Sequence, residues 1–127
     1  MAKIVSATPE SQHGYNGFNV RVDSDGAAYR AYAAGNPSAS SANVRVHVYD
    51  QHLNGNNERE HLGSFTNHEP KLILPVRTGT FNYFVCAEEG EKLNNYGASD
   101  SPSRDYVDMK FAIGDRWITM RFEVKLD

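Results

Sequence analysis

The C-terminal stretch "DYVDMKFAIGDRWITMRFEVKLD", residues 105–127, constrains the fold more than any other part of the chain. Val107, Met109, Phe111 and Ile113 alternate with other residues, which is the period of a strand with one buried face. Gly114-Asp115, a composition suited to a two-residue hairpin turn, follows. Ile118, Met120, Phe122, Val124 and Leu126 then alternate again. With that turn as the loop, Phe111 faces Ile118, Met109 faces Met120 and Val107 faces Phe122 on one side. Asp108 faces Arg121 on the other, a favourable cross-strand charge pair. One register satisfies both faces at once, so a β-hairpin over 105–126 is predicted.

The same alternation recurs upstream. Phe18, Val20 and Val22 alternate with Asn19, Arg21 and Asp23, and "NVRVHVYD" sets Val44, Val46 and Val48 inward against Arg45, His47 and Tyr49 outward. "AAYRAYAAG" reads as a returning strand or a short helix, because Ala is a poor strand residue. "HLGSF" is a short strand, and "KLILPVRTGTFNYFVCA" reads as two apolar runs, the first held to a sheet edge or a bulge by Pro75. "GNPSASSAN" and "EEGEKLNNYGASDSPSR" read as polar connections. No segment carries a sustained 3.6-residue apolar period, and no repeat recurs at a fixed spacing. Seven to nine short strands over 1–127 predict an all-β, single-domain antiparallel β-sandwich of Greek-key or jelly-roll type.

At 127 residues the chain has room for one core. Its single cysteine, Cys86, allows no intrachain disulfide and fits a reducing compartment. "MAKIVSATPESQ" has no signal-peptide apolar run, and no stretch approaches the ~20 apolar residues of a membrane span. The expected location is the cytosol, or outside the cell after release without a signal peptide. A formal charge of −3 without a basic stripe lacks the footprint of a nucleic-acid binder.

The densest polar stretch is "DQHLNGNNEREH", residues 50–61. An EF-hand beginning at Asp50 fails, because imidazoles stand at two oxygen positions, the closing Glu is replaced by His61, and no helices flank the loop. Zinc is disfavoured: His52, Glu58 and His61 meet only if the loop folds back, and no H-E-x-x-H is present. His47 and His52 lack the close His-x-His spacing of a cupin barrel. Asn54-Gly55 reads first as a hairpin turn. Asp50, Asn54, Asn56 and Asn57 read second as ligand-binding groups, since their side chains suit sugar hydroxyls. Residues 94–108 have the same character, with Asn95 and Tyr96 as ligand candidates and Asp100 and Asp105 as oxygen ligands for Ca²⁺. Trp117 is predicted to face outward and to stack on a ligand.

Nucleophilic catalysis finds no support. G-x-S-x-G is absent, Cys86 lies inside an apolar run, Gly14 and Gly17 are isolated turn glycines, and Glu88-Glu89 would point to opposite faces of a strand. In composition and fold class the chain resembles small microbial lectins, though no motif carries a residue across. The expectation is a non-enzymatic, lectin-like protein binding a carbohydrate or glycoconjugate through loops 50–61 and 94–108, Ca²⁺-assisted and forming a homo-oligomer. The alternative is a protein–protein module, such as a toxin component or secreted effector accessory, contacting its partner through Tyr49 and Trp117. An enzyme using His47, His52 or His61 ranks third.

Overall fold

Every described element is a strand and every pairing is antiparallel. The computed structural model describes residues 3–12, 15–24, 29–35, 45–53, 55–66, 72–74, 79–87, 91–97, 106–113 and 116–126. The backbone alone is described for 24, 29–35, 91–97, 112–113, 116–118 and 125–126. The strands are β1 (Lys3–Gln12), β2 (Tyr15–Ser24), β3 (Tyr29–Gly35), β4 (Val46–Leu53), β5 (Arg59–Phe65), β6 (Leu72–Leu74), β7 (Gly79–Ala87), β8 (Glu91–Gly97), β9 (Tyr106–Ile113) and β10 (Arg116–Leu126). They form two five-stranded sheets, in the orders β1-β2-β7-β4-β5 and β6-β3-β10-β9-β8. Among the described residues no helix is long and apolar enough to cross a membrane.

One buried cluster draws on both sheets. Ile4, Phe18, Val20, Val22, Val46, Val48 and Val85 come from the first, and Val107, Met109, Phe111, Met120 and Phe122 from the second. Phe18 and Phe111 meet edge-to-face across the sheets, with ring centroids 5.4 Å apart at 80°. The period-2 pattern therefore reads out directly as inner and outer faces. β9 and β10 pair with Phe111 opposite Ile118, Met109 opposite Met120 and Val107 opposite Phe122. On the outer face Arg121 donates to both Asp108 oxygens, at 2.7 and 2.9 Å. The connecting Gly114-Asp115 lies outside the described residues.

Several sequence readings are corrected. The described residues already form ten strands, against the seven to nine expected. β1 escapes notice because a register shift between Ile4 and Ser6 breaks its alternation, leaving Ile4 and Ala7 as its only core residues. "AAYRAYAAG" is strand, since β3 lies between β6 and β10 and ladder pairing on both sides outweighs the low strand propensity of Ala. Part of "EEGEKLNNYGASDSPSR" is not a connection, because β8 pairs with β9 at the edge of the second sheet. Within 94–108, residues 94–97 and 106–108 are strand, and 98–105 lie outside the described residues. Val44, Pro75 and "GNPSASSAN" beyond Gly35 also lie outside them. β6 is an edge strand, where Pro75 in the sequence had placed its run.

Candidate functional site

The segment 50–61 is mostly strand. Asp50 to Leu53 continue β4, and Arg59 to His61 begin β5. A two-residue turn at Asn54-Gly55 would pair Leu53 with Asn56, whereas Leu53 pairs with Arg59. The reversal needs positive φ farther along, at Asn57 (φ 60°), which Asn tolerates better than most residues.

The register of β4 with β5 also shifts between Val48 and Tyr49. Before the shift Val46 faces Phe65 and Val48 faces Gly63, all toward the core. Continued without interruption, that register would set His61 opposite inward-facing Asp50. The bulge instead sets His61 opposite Tyr49 and turns its ring to the outer face, because a one-residue slip exchanges the two faces. Gly63 makes this conformation accessible. Its φ is +154°, and a Cβ there would lie 2.5 Å from Leu72 Cδ1.

On the outer face of the first sheet, Phe84, Tyr49 and His61 follow one another across β7, β4 and β5. Tyr49 lies 6.4 Å from Phe84 and 5.0 Å from His61, centroid to centroid. His47 Nδ1 and His61 Nε2 are 3.0 Å apart. Partial burial, and then the proximity of His47, push the His61 pKa below the ordinary imidazole value, against a raising bond to the Gly63 backbone.

Beside this aromatic row lies an amide network centred on Gln51. Gln51 Oε1 accepts from Gln12 Nε2 (3.0 Å) and Arg59 Nε (2.8 Å). Gln51 Nε2 donates to Glu10 Oε2 (2.6 Å) and Asn19 Oδ1 (2.9 Å). Glu10 and Gln12 belong to β1, which is separated from β4 by β2 and β7. In a flat sheet that is about 14 Å, and side chains would stand perpendicular to it. Direct bonds across the gap require the outer face to be concave, and the register shifts in β1 and β4–β5 supply points at which it bends.

The concavity holds a cavity of about 300 Å³. Its described lining is Tyr15, Tyr49, Leu53 and Phe84 together with Gln12, Asn57, Glu58 and Arg59. Phe84 is 3 % exposed although it lies outside the core cluster, so the curled face covers it. Gln12 Oε1 is buried and has no hydrogen-bond partner among the described residues. A buried acceptor left without a donor is costly, and a ligand hydroxyl is a donor that fits.

The residues singled out in the sequence are divided by the fold. Asn57 lines the cavity. Asp50 is buried on the inner side, and its Oδ1 accepts from the His52 backbone N–H at 2.9 Å. Asn56 is exposed at the turn. Asn54, Asp100 and Asp105 lie outside the described residues. Asn95 and Tyr96 are paired with Met109 and Asp108 in β8, and Trp117 with Ala112 in β10, each as backbone only. β8 packs near β1 and β2, while β5 packs near β6 and β3, so the two polar segments lie at opposite edges. Tyr15, Gln12, Arg59 and Phe84 were not anticipated. The signal for Phe84 was "FNYFVCA", whose apolar residues occupy both parities and so mark a strand covered on both faces.

Among the described residues no group of three or more His, Cys, Asp or Glu could hold a metal ion. No family model matches the chain, and neither does any curated protein or solved structure.

Proposed function

We propose that the chain is a single-domain β-sandwich of jelly-roll type that binds carbohydrate, without catalysis, in the concavity on the outer face of the first sheet. The pairings β4·β5, β3·β6 and β2·β7 nest inside one another, which is how a rolled-up jelly roll pairs, and β9·β10 supplies its C-terminal hairpin. The fold alone assigns no function.

The observation that carries the reading is the lining: aromatic rings beside polar groups, with the orphaned Gln12 Oε1 among them. Sugars present apolar C–H faces and hydroxyl edges, so Tyr49, Tyr15 and Phe84 meet the former while Gln12, Asn57, Glu58 and Arg59 meet the latter. At about 300 Å³ the cavity is at the small end for ligand sites, the size of a mono- or disaccharide unit. Calcium enters only through Asp100 and Asp105, so it is tested separately from the cavity.

A glycan array in calcium and in EDTA, followed by titration of the best glycan onto Tyr49→Ala and Tyr15→Ala, tests the proposal. Specific binding weakened by both substitutions supports it. Silence in both buffers, or binding indifferent to both, overturns it. Loss in EDTA adds the calcium site. A second reading, docking of a protein partner or another copy of the chain, draws on the exposed apolar residues Ile73 (57 %), Tyr15 (44 %) and Leu53 (42 %). It predicts a complex disrupted by Ile73→Asp and indifferent to glycan.

A further inference from the structure

The His47–His61 pair lies outside the cavity lining, and its geometry is more specific than a surface contact requires. The two histidines come from neighbouring strands, and they share a face only because the bulge at Val48/Tyr49 returns His61 to the outside. Their facing nitrogens, His47 Nδ1 and His61 Nε2, stand 3.0 Å apart, with ring centroids at 5.1 Å and 49° between planes. A hydrogen bond with the Gly63 backbone also acts on the His61 ring. An imidazole whose remote N–H is held by a backbone carbonyl presents its other nitrogen as a fixed lone pair, the usual support for a metal-ligating histidine.

We propose that His47 and His61 form a two-imidazole site for a divalent transition ion, bound through His47 Nδ1 and His61 Nε2. Zn–N bonds of about 2.0–2.1 Å at a tetrahedral angle separate two ligand nitrogens by about 3.3–3.4 Å. The pair therefore opens by a few tenths of an ångström and each ring turns by about 35° to aim its lone pair at an ion off the N···N line, which two partly solvated rings can accommodate. The shared proton of the apo pair moves to the remote Nε2 of His47, leaving two neutral imidazoles with lone pairs directed at the ion. With no third protein ligand among the described residues, water fills the remaining positions. The ligand set is nitrogen and water, which selects Cu²⁺, Ni²⁺ and Zn²⁺ over Ca²⁺ and Mg²⁺, with Cu²⁺ bound most tightly. Tyr49 touches both this pair and the cavity, but the metal site does not depend on what the cavity binds.

The test is calorimetric titration of Cu²⁺, and separately Zn²⁺, onto the full chain in a non-coordinating buffer. It is paired with NMR of the imidazole ring protons during substoichiometric Cu²⁺ addition. One ion per chain is expected, with Cu²⁺ tighter than Zn²⁺ and paramagnetic broadening confined first to His47 and His61. His47→Ala and His61→Ala should each weaken binding by about tenfold or more, while His52→Ala leaves it unchanged. Near-UV circular dichroism checks that the variants are folded, and the NMR readout needs no variant. Absence of saturable binding, broadening that begins at His13, His52 or His68, or full affinity in folded His61→Ala would each overturn the site.

Discussion

Replacing Gln51 by Ala tests whether the outer face is held concave by one side chain. The amide of Gln51 makes four hydrogen bonds, two accepted at Oε1 and two donated by Nε2. Bonds to the charged Glu10 and Arg59 contribute roughly 1.5–3 kcal/mol each, and those to neutral Gln12 and Asn19 roughly 0.5–1.5 kcal/mol. The lower ends of those ranges total about 4 kcal/mol. The network is only partly buried, and water entering the vacated space re-satisfies some of the partners, so about 2 kcal/mol is the expected loss. In urea unfolding that is a fall of about 1 M in midpoint for a chain of this size. Gln51→Glu provides the control. It puts a carboxylate where Nε2 now donates 2.6 Å to Glu10, so its loss exceeds that of Ala at neutral pH. A midpoint shift for Gln51→Ala below about 0.3 M at unchanged slope would refute the idea that this network ties β1 to β4.

Phe18→Ala removes a fully buried ring and its edge-to-face contact with Phe111, and should cost about 3–5 kcal/mol, read as a melting temperature roughly 10 °C lower or more. Gly63→Ala should lose about 1–3 kcal/mol in denaturant unfolding, because it meets both Leu72 Cδ1 and an unfavourable φ. Adding Leu72→Ala relieves the steric part alone, so full rescue would count against backbone strain. For His61, the folded pKa lies below the unfolded value of about 6.5. As pH falls below that value the unfolded chain takes up a proton that the folded chain resists, so stability drops until the folded pKa is passed and then levels off. His61→Gln should flatten the change in urea midpoint between about pH 7.5 and pH 5; an undiminished slope would assign it to other groups.

What the sequence made legible was local. Val107 to Ile113 and Ile118 to Leu126 alternate without interruption in the sequence, so the partners and register of β9 and β10, and the inward faces of Val107, Met109, Phe111, Met120 and Phe122, could be read from the period. Val46 and Val48 were equally plain. The candidate site was not, for two physical reasons. Its rim joins Glu10 and Gln12 to Gln51 through curvature of a whole sheet, and curvature leaves no local period. The aromatic row beside it depends on a bulge that reverses the parity of His61, and alternation before and after a bulge predicts opposite faces. Asn57 was picked out for its hydrogen-bonding capacity, and it does line the cavity. Asp50, chosen on the same ground, is spent on its own chain at His52. Composition marked a segment that contributes Leu53, Asn57, Glu58 and Arg59 to the cavity lining, and could not say which of its side chains look outward.

The nested pairing also governs how the chain can fold in time. Val46 and Phe65 are about 20 residues apart, Ala33 and Leu72 about 40, and Ser24 and Gly79 about 55. Closing the inner pair ties off the chain within the next, so each later closure joins a shorter free loop than its sequence separation suggests. β8, β9 and β10 form a separate meander from neighbouring segments. The two parts meet at β3·β10, whose partners lie about 85–97 residues apart and which no earlier closure shortens to a hairpin. Non-local pairing of this kind goes with folding on the millisecond-to-second scale, and β3·β10 is the pairing whose partners lie farthest apart in sequence among the described strands.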